Sequence, residues 1–325
     1  MFKALSVDKI DETLVPSIVE LSDQDLMDGE VLVEVDYSGI NYKDAMAIFG
    51  TRPVLGRFPL IPGIDFVGTV VESSDTEFTP GTRVILNGWG VGETHHGGFA
   101  GRARVPAKWL IPLPAGLSAK AAGIFGTAGY TSALSFLALS KNVSPDAGKI
   151  IVTGANGGVG GLVCLILSRE GYRVTAATSR PERADYLRSL GAEEVISLDE
   201  LNASSKPMQH PIWAGGVDAI GGKALASILA QTEYNGTVTA CGLAENTDLP
   251  TTVLPFILRS ISLIGINSVF QPRELREEAW AVLAKHAAIA ESIEYHEIGL
   301  NQIVEASAKV IQGGATGRYL VNPKL

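Results

Sequence analysis

The sequence is poor in cysteine, which limits the kinds of fold and site that it can form. Among its 325 residues there are only two cysteines, Cys164 and Cys241, and both stand among apolar neighbours. Two cysteines exclude a scaffold of several disulfides and a zinc lobe with four cysteine ligands. We therefore interpret both residues as buried, unreactive thiols.

Positive charge is also scarce. The chain has 26 Lys and Arg residues against 35 Asp and Glu residues, and its net charge is −9. This balance argues against a nucleic-acid groove or binding to an anionic membrane surface, but it does not exclude a local basic pocket. Hydrophobic residues make up 46% and charged residues 19%, which is typical of a globular protein long enough for two domains.

A long uninterrupted apolar run is not evident. Asp8, Asp11 and Glu12 interrupt the region where a signal peptide would have its apolar core. No segment approaches the roughly 18 consecutive apolar residues that a membrane span needs. We therefore expect no membrane association and a cytoplasmic protein.

What the chain does have is a glycine-rich turn between an apolar run and a helical pattern. The run IIVT at 150–153 predicts a buried parallel strand, GANGGVG follows at 154–160, and LVCLIL at 162–167 begins a helix. The glycines fit G-x-x-G-x-x-G, whereas G-x-G-x-x-G would have Ala155 as its first position. Strand, turn and helix in this order indicate a nucleotide-phosphate site at the positive end of the helix. The alternative is a purely structural turn.

The composition of the chain changes twice along its length. Residues 1–120 contain strand-like runs at 31–37, 66–72 and 83–86, and residues 121–268 alternate strands with helices. That alternation predicts an α/β fold with a doubly wound parallel sheet of the Rossmann type. The tail at 269–325 is expected to return to the first domain, because the sheet already has six strands.

The end of the second predicted strand indicates which nicotinamide cofactor is bound. Thr178, Ser179 and Arg180 stand where an NAD enzyme has an acidic residue that binds the ribose hydroxyls. Two hydroxyls and a guanidinium instead suit a 2′-phosphate, so the segment favours NADPH. The alternative for Ser179 is that it caps the following helix, with Pro181 near the first helical position.

Other residues at strand ends belong to the same expected crevice. In open parallel sheets, ligands bind beyond the carboxyl ends of the strands. Five residues hold such positions and should lie along one crevice: Gly154, Thr178, Gly221, Gly242 and Asn267.

Several longer strings give the chain a family resemblance. They are NYKD at 41–44, IPGIDFVG at 61–68, PGTRV at 80–84, GWGVGETH at 88–95 and LPTTVLPFILR at 249–259. With the glycine turn, the chain resembles the medium-chain dehydrogenase/reductase superfamily over essentially its whole length. The last two strings are similar to the NADPH-dependent acrylyl-CoA reductases, also known as quinone oxidoreductases of the YhdH/YhfP type. The resemblance implies a GroES-like catalytic domain at 1–120 and 269–325 and a Rossmann NADPH-binding domain at 121–268.

The chain departs from the zinc-containing members of that superfamily. Their Gly-His-Glu triplet is here Gly63, Ile64 and Asp65, and isoleucine cannot bind a metal. The cysteine that they have near residue 41 is Asn41. A catalytic zinc needs three nitrogen, sulfur or carboxylate ligands. We interpret the adjacent histidines at 95 and 96 as surface residues of a glycine-rich loop, and we predict no metal.

Reduction of an activated carbon–carbon double bond suits such a metal-free site. The resemblance implies that Tyr42 contacts the nicotinamide and donates to the enolate or supplies a proton. The alternative is that Tyr42 only packs against the cofactor. It also implies a cofactor contact for Arg318, with a surface arginine as the alternative. The complete set of expected cofactor contacts is Tyr42, Asn156, Gly157, Gly158, Val159, Gly160, Thr178, Ser179, Arg180, Gly242, Leu243, Ile266, Asn267 and Arg318.

The resemblance leaves three functions open. The first is an NADPH-dependent acrylyl-CoA reductase that forms propionyl-CoA, with Lys43, Arg52 and Arg57 as candidates for the phosphates of the acyl-CoA substrate. The second is a quinone or enone reductase. The third is a non-enzymatic NADPH-binding protein. The resemblance also implies a homodimer whose 261–266 strands meet across a two-fold axis.

Overall fold

The computed structural model describes residues 1–325 and divides them into two compact units. Unit 1 comprises Met1–Tyr130 and Ser268–Leu325, and unit 2 comprises Thr131–Asn267. The expected boundary was at residue 120, whereas the units divide after Tyr130. The helix Ala119–Ser140 contains that point, so no loop marks the boundary.

Unit 1 is built mainly from β-strands. Its strands are β1 (Phe2–Ile10), β2 (Thr13–Leu21), β3 (Val31–Gly39), β4 (Asp65–Ser73), β5 (Arg83–Asn87), β6 (Arg102–Val105), β7 (Ile111–Pro112), β14 (Tyr295–Ile298) and β15 (Arg318–Val321). β1 and β2 form an antiparallel hairpin. The others form a sheet in the order β14-β15-β3-β4-β5-β7, with β6 also paired to β3. The tail therefore joins the sheet of the first domain, because β15 pairs with β3.

Helices accompany these strands in unit 1. They are α1 (Tyr42–Phe49), α8 (Arg273–Lys285), α9 (Ile289–Ser292) and α10 (Ile303–Ile311). Short 3-10 turns lie at Asp23–Asp25, Ala107–Trp109 and Leu300–Gln302. One apolar cluster joins the hairpin to the tail, because Leu5, Ile48 and Ile303 are all buried in it. This cluster fixes the apolar side of α1, whose first residue is Tyr42.

Unit 2 contains the predicted parallel sheet. Its strands are β8 (Lys149–Val152), β9 (Arg173–Thr178), β10 (Ala192–Ser197), β11 (Trp213–Asp218), β12 (Thr232–Ala240) and β13 (Ser262–Gly265). They pair in parallel in the order β10-β9-β8-β11-β12-β13. This order reverses beside β8, as in the doubly wound Rossmann fold, and such a reversal opens a crevice at the strand ends. The predicted α/β class is confirmed.

The helices of unit 2 connect these strands. They are α3 (Gly158–Arg169), α4 (Ala184–Ser189), α5 (Leu198–Leu201), α6 (Gly222–Gln231) and α7 (Leu254–Arg259), with 3-10 turns at Pro145–Ala147 and Pro181–Arg183. The core of the sheet is apolar, and Ile151, Ile228 and Val238 are buried in one cluster. β8 and α3 have the buried apolar residues that their sequence predicted.

One helix corrects an expectation about apolar length. α2 (Ala119–Ser140) has 22 residues and is long and apolar enough to cross a membrane by length and composition. This property was not recognised from the sequence, because glycine, serine and threonine residues are spread among the apolar residues of α2. However, 83% of its apolar window is buried inside the protein, as in a core helix. Gly126 interrupts the helix with φ +48°.

Candidate active site

The glycine turn of unit 2 lies between the end of β8 and the start of α3. Gly154 has φ +61°, and Gly157 is the N-cap of α3. A Cβ atom at residue 160 would lie 2.3 Å from the carbonyl oxygen of Gly154, so only glycine fits there. These glycines bring the turn and the first helical residues into close contact.

The start of α3 presents unpaired backbone donors. The N–H of Gly161 makes the first intrahelical bond, to the oxygen of Gly157 at 3.0 Å. The preceding amides of Gly158, Val159 and Gly160 have no helical acceptor, and the helix dipole adds positive potential there. This arrangement fits a diphosphate, as the sequence predicted.

The end of β9 is connected to the glycine turn by side chains. The Oγ1 atom of Thr178 accepts bonds from the side-chain amide of Asn156 and, at 2.9 Å, from the N–H of Arg180. The guanidinium of Arg180 donates to the oxygen of Asn156 at 3.4 Å. Asn156 also has a buried Oδ1 atom with no partner. The structure thus brings three predicted cofactor contacts together.

The helix cap proposed as an alternative role for Ser179 is wrong. Arg180 holds the N-cap position of the turn that begins at Pro181, and Ser179 lies one residue earlier. Pro181 is the first residue of that turn, as expected. Ser179 is exposed beside Arg180, so its side chain is accessible to a ligand.

The later strand ends also approach one another within unit 2. A Cβ atom at residue 242 would lie 1.9 Å from the oxygen of Ala219, so the loop after β12 packs tightly on the loop after β11. Leu243 follows on the surface. Ile266 donates its N–H to Ala240 at 2.8 Å, and Asn267 comes directly after it. Cofactor contacts at these residues stay predictions.

Two polar residues at the ends of β8 and β11, Thr153 and Asp218, were not identified from the sequence as site residues. Thr153 donates its hydroxyl to Asp218 at 2.6 Å, and the other carboxylate oxygen of Asp218 accepts the N–H of Gly221 at 2.7 Å. Burial raises the pKa of Asp218 to about 6, although both bonds oppose the rise. The signal available in the sequence was an acidic residue inside the apolar strand at 217–220.

In unit 1, Tyr42 is the first residue of α1. Its side chain is 43% exposed, and its hydroxyl makes no hydrogen bond to the protein. Asn41 precedes it as the N-cap and gives its N–H to the carboxylate of Asp44 at 2.8 Å. Asp44 also accepts the N–H of Ile64 at 3.0 Å. The helix start is therefore fixed, while the phenol is accessible.

A second buried carboxylate supports the same helix start. Asp65 accepts the N–H of Gly39 at 2.8 Å, the side-chain amide of Asn41 at 2.9 Å and the N–H of Thr127 at 2.7 Å. Burial, reinforced by the charge of Asp65, raises the pKa of Asp44 to about 7. Asn41 thus holds both carboxylates around the turn that presents Tyr42.

Arg318 also belongs to this buried cluster. The side chain is 6% exposed, and its guanidinium donates to the oxygens of Ile124, Ile40 and Asn41 within unit 1. The surface arginine considered as an alternative is wrong. Burial lowers the pKa of Arg318, and nearby Asp65 opposes that shift. These bonds hold the guanidinium within unit 1, and the cofactor contact of Arg318 stays a prediction.

The adjacent histidines are not both surface residues, contrary to the interpretation of the sequence. His95 is buried, and its ring nitrogens lie 3.2 Å from the oxygens of His96 and Asp28. The Nδ1 atom of His96 accepts the N–H of Ile61 at 3.3 Å, and burial lowers its pKa to about 4. Among residues 1–325, no group of three or more His, Cys, Asp or Glu side chains is arranged to hold a metal ion.

The three cations proposed for the acyl-CoA phosphates differ in their surroundings. Lys43 makes an ion pair with Glu93 at 3.1 Å. Arg57 lies 3.8 Å from the sulfur of Met27. Arg52 is exposed and makes no ion pair. Only Arg52 is therefore both exposed and without a polar partner.

Comparison with known proteins places these features in context. The family model for the alcohol dehydrogenase GroES-like domain matches residues 27–115, and that for zinc-binding dehydrogenases matches residues 158–285. The acrylyl-CoA reductase AcuI of Ruegeria pomeroyi is 44% identical to this chain, over 99% of each protein.

Solved structures are similar over nearly the whole chain. The yhdH oxidoreductase of Salmonella enterica in complex with NADP is 45% identical with a TM-score of 0.96, covering 98% of this chain and 99% of that one. The Bacillus subtilis protein yhfP with NAD bound is 41% identical with a TM-score of 0.96, covering 99% of both chains. Similar folds have therefore been observed with both forms of the dinucleotide.

Proposed function

Because this chain belongs to the medium-chain dehydrogenase/reductase superfamily, we propose that it reduces the carbon–carbon double bond of acrylyl-CoA with NADPH and forms propionyl-CoA. The observation that carries the proposal is the near-full-length similarity to an acrylyl-CoA reductase. We further propose that unit 1 is the catalytic domain and unit 2 the cofactor domain.

The residues of unit 2 fit a dinucleotide with a 2′-phosphate. The amides of Gly158, Val159 and Gly160 would hold the diphosphate at the start of α3. Thr178, Ser179 and Arg180 would hold the 2′-phosphate, since a guanidinium and hydroxyls suit a dianion where a carboxylate would repel it. The unpartnered Oδ1 atom of Asn156 leaves an acceptor for a ribose hydroxyl in the same place.

The reaction needs a hydrogen-bond donor that stabilises the negative charge developing on the thioester oxygen of the substrate. When bound, NADPH supplies a hydride to the β-carbon of the enoyl thioester. We assign to Tyr42 the hydrogen bond to the thioester oxygen, where negative charge then accumulates. Its hydroxyl is suited to this role because it is exposed and has no protein partner. The α-carbon receives its proton from Tyr42 or from water, which completes the reduction.

Metal-free chemistry is supported by the side chains at the positions where zinc members have ligands. Ile64 has no donor atom, and Asn41 is engaged with Asp65 and Asp44. A phenol would thus act where a Lewis acid acts in those members. We also propose a cytoplasmic protein, in accord with the burial of α2.

The proposed function is tested by a side-by-side assay. Purified protein with NADPH should consume the cofactor on addition of acrylyl-CoA much faster than on addition of a simple quinone. A quinone preference would favour the second function, and no cofactor consumption with either compound would favour the non-enzymatic one.

The Arg180→Ala variant tests the choice of cofactor. We expect the KM for NADPH to rise roughly 10- to 100-fold, because a hydrogen bond to a charged group contributes about 1.5–3 kcal/mol. The KM for NADH should hardly change, since NADH lacks the 2′-phosphate. Steady-state kinetics with both cofactors measures this, with Arg188→Ala as the control on exposed α4. Equal losses for both cofactors would contradict the assignment.

We propose a homodimer formed through the β13 edge of unit 2. β13 pairs only with β12 and ends the six-stranded sheet, so its outer backbone groups have no strand partner. Beside it, α7 exposes apolar side chains, including Ile257, which is 69% exposed. A second copy would cover both the strand edge and the apolar helix.

The Ile257→Glu variant tests this interface. The native protein should scatter light as a dimer, whereas the variant should scatter as a monomer because a carboxylate would be buried on association. Arg188→Glu is a matched control, since it changes the charge of a helix that packs against β10 at the opposite edge. A dimeric Ile257→Glu protein, or a monomeric native protein, would contradict the proposal.

A further inference from the structure

A cavity of about 760 Å³ lies within unit 1, at the end of α1 away from Tyr42. Its walls are the turn of the β1–β2 hairpin, the last residues of α1 and residues 50–58. The volume is within the range of small-molecule sites. No residue of this cavity belongs to the predicted cofactor site.

The apolar part of the wall includes two aromatic rings that are partly exposed. Phe49 is 41% exposed and Phe58 is 37% exposed, and Leu14 and Leu55 lie beside them. Exposed aromatic side chains that share a concave surface indicate a binding site more often than isolated ones do. A flat aromatic ligand could stack on such rings.

The charged part of the wall has one unpaired cation. Lys9 and Glu12 form an ion pair at 2.5 Å, so their charges cancel locally. Arg52 makes no ion pair, and it leaves the cavity with a net charge of about +1. On a chain with a net charge of −9, this is a local exception that favours an anionic ligand.

The geometry of α1 relates this cavity to Tyr42. α1 has eight residues, with Tyr42 at its start and Phe49 at its end. At 1.5 Å per residue the helix is roughly 12 Å long. An extended ligand whose reactive end lies at Tyr42 could therefore reach the cavity with its other end.

We propose that this cavity binds the nucleotide end of the CoA thioester, a proposal that rests on the proposed function. Arg52 binds the 3′-phosphate on the adenosine of CoA, and the adenine ring stacks against Phe49 or Phe58. The pantetheine arm then runs along α1 toward Tyr42. This assignment makes Arg52 a specificity residue that distinguishes CoA thioesters from small enones.

Arg52→Ala kinetics test the proposal with two thioesters. The KM for acrylyl-CoA should rise roughly 10-fold with kcat unchanged. The KM for acrylyl-N-acetylcysteamine should stay constant, because this thioester lacks the nucleotide. Arg52→Lys should restore part of the affinity. Added salt should raise the KM of the native protein more than that of Arg52→Ala, because salt screens an exposed ion pair.

Control variants define what would overturn the assignment. Arg83→Ala removes an exposed arginine elsewhere on unit 1 and should leave both KM values unchanged. Equal changes with both thioesters in Arg52→Ala would overturn the nucleotide assignment. A rise in Arg57→Ala instead of Arg52→Ala would also overturn it.

A binding measurement keeps the proposal separate from the reaction. Adenosine 3′,5′-bisphosphate should bind to the NADP-saturated native protein in calorimetry, and at least 10-fold more weakly to Arg52→Ala and to a double variant with Phe49→Ala and Phe58→Ala. Equal binding by native protein and variants, or no binding to native protein, would overturn the cavity assignment even if acrylyl-CoA is reduced. If neither thioester is reduced but the bisphosphate binds as expected, the proposed function fails and the cavity assignment stands.

Discussion

Tyr42→Phe is expected to lower kcat for acrylyl-CoA by roughly 10²-fold, the lower part of the range for a lost general acid or charge-stabilising donor. The substitution keeps the ring and removes only the hydroxyl, which makes no hydrogen bond within the protein. The KM for NADPH and the stability of the fold should therefore stay close to native values. The loss should appear in the chemical step.

Single-turnover kinetics measure that step directly, with Tyr234→Phe as a control on an exposed tyrosine of unit 2. The control should keep native turnover. If Tyr42→Phe also keeps full turnover, the phenol does not stabilise the enolate or donate the proton. Tyr42 would then have the packing role that its sequence motif equally allows.

Asp65→Ala is expected to destabilise the protein by about 3–5 kcal/mol, as is typical when one member of a buried charge cluster is removed. The carboxylate accepts bonds from Gly39, Asn41 and Thr127, and the substitution would remove all three of these bonds. Arg318 would keep a buried positive charge with less compensation. The turn before Tyr42 should loosen, so kcat should fall as well.

Denaturant unfolding measures the free energy, and Glu72→Ala is the matched control because Glu72 is exposed on the same strand, β4. The control should stay within about 0.5 kcal/mol of the native protein. Native stability of Asp65→Ala would show that the cluster is not what fixes this turn.

The parts of the fold that the sequence predicted well are those with local periodic patterns. The predicted runs at 31–37, 66–72 and 83–86 lie within β3, β4 and β5, because each has its apolar pattern over its own length. The β1–β2 hairpin and the length of α2 were not predicted. In α2, glycines, serines and threonines are buried by tertiary packing, which a window of hydrophobicity does not reveal.

Parts of the candidate site could also be predicted from local motifs, and other parts could not. The glycine turn is a contiguous motif, so its position at the start of α3 could be predicted from residues 150–167. The cluster around Asp65 could not, because its partners Asn41 and Thr127 are distant along the chain. The surface position expected for His95, and the surface alternative for Arg318, were wrong for the same reason. A charged or polar residue can be buried only where distant parts of the chain supply its hydrogen bonds.

The most direct measurement of the central claim follows the transferred hydrogen. The protein is incubated with acrylyl-CoA and NADPH that carries deuterium on the transferred C4 position, and the thioester product is examined by mass spectrometry and NMR. We expect propionyl-CoA with one deuterium on its β-carbon and one equivalent of NADP formed. Absence of propionyl-CoA, or propionyl-CoA without deuterium at that carbon, would contradict the account.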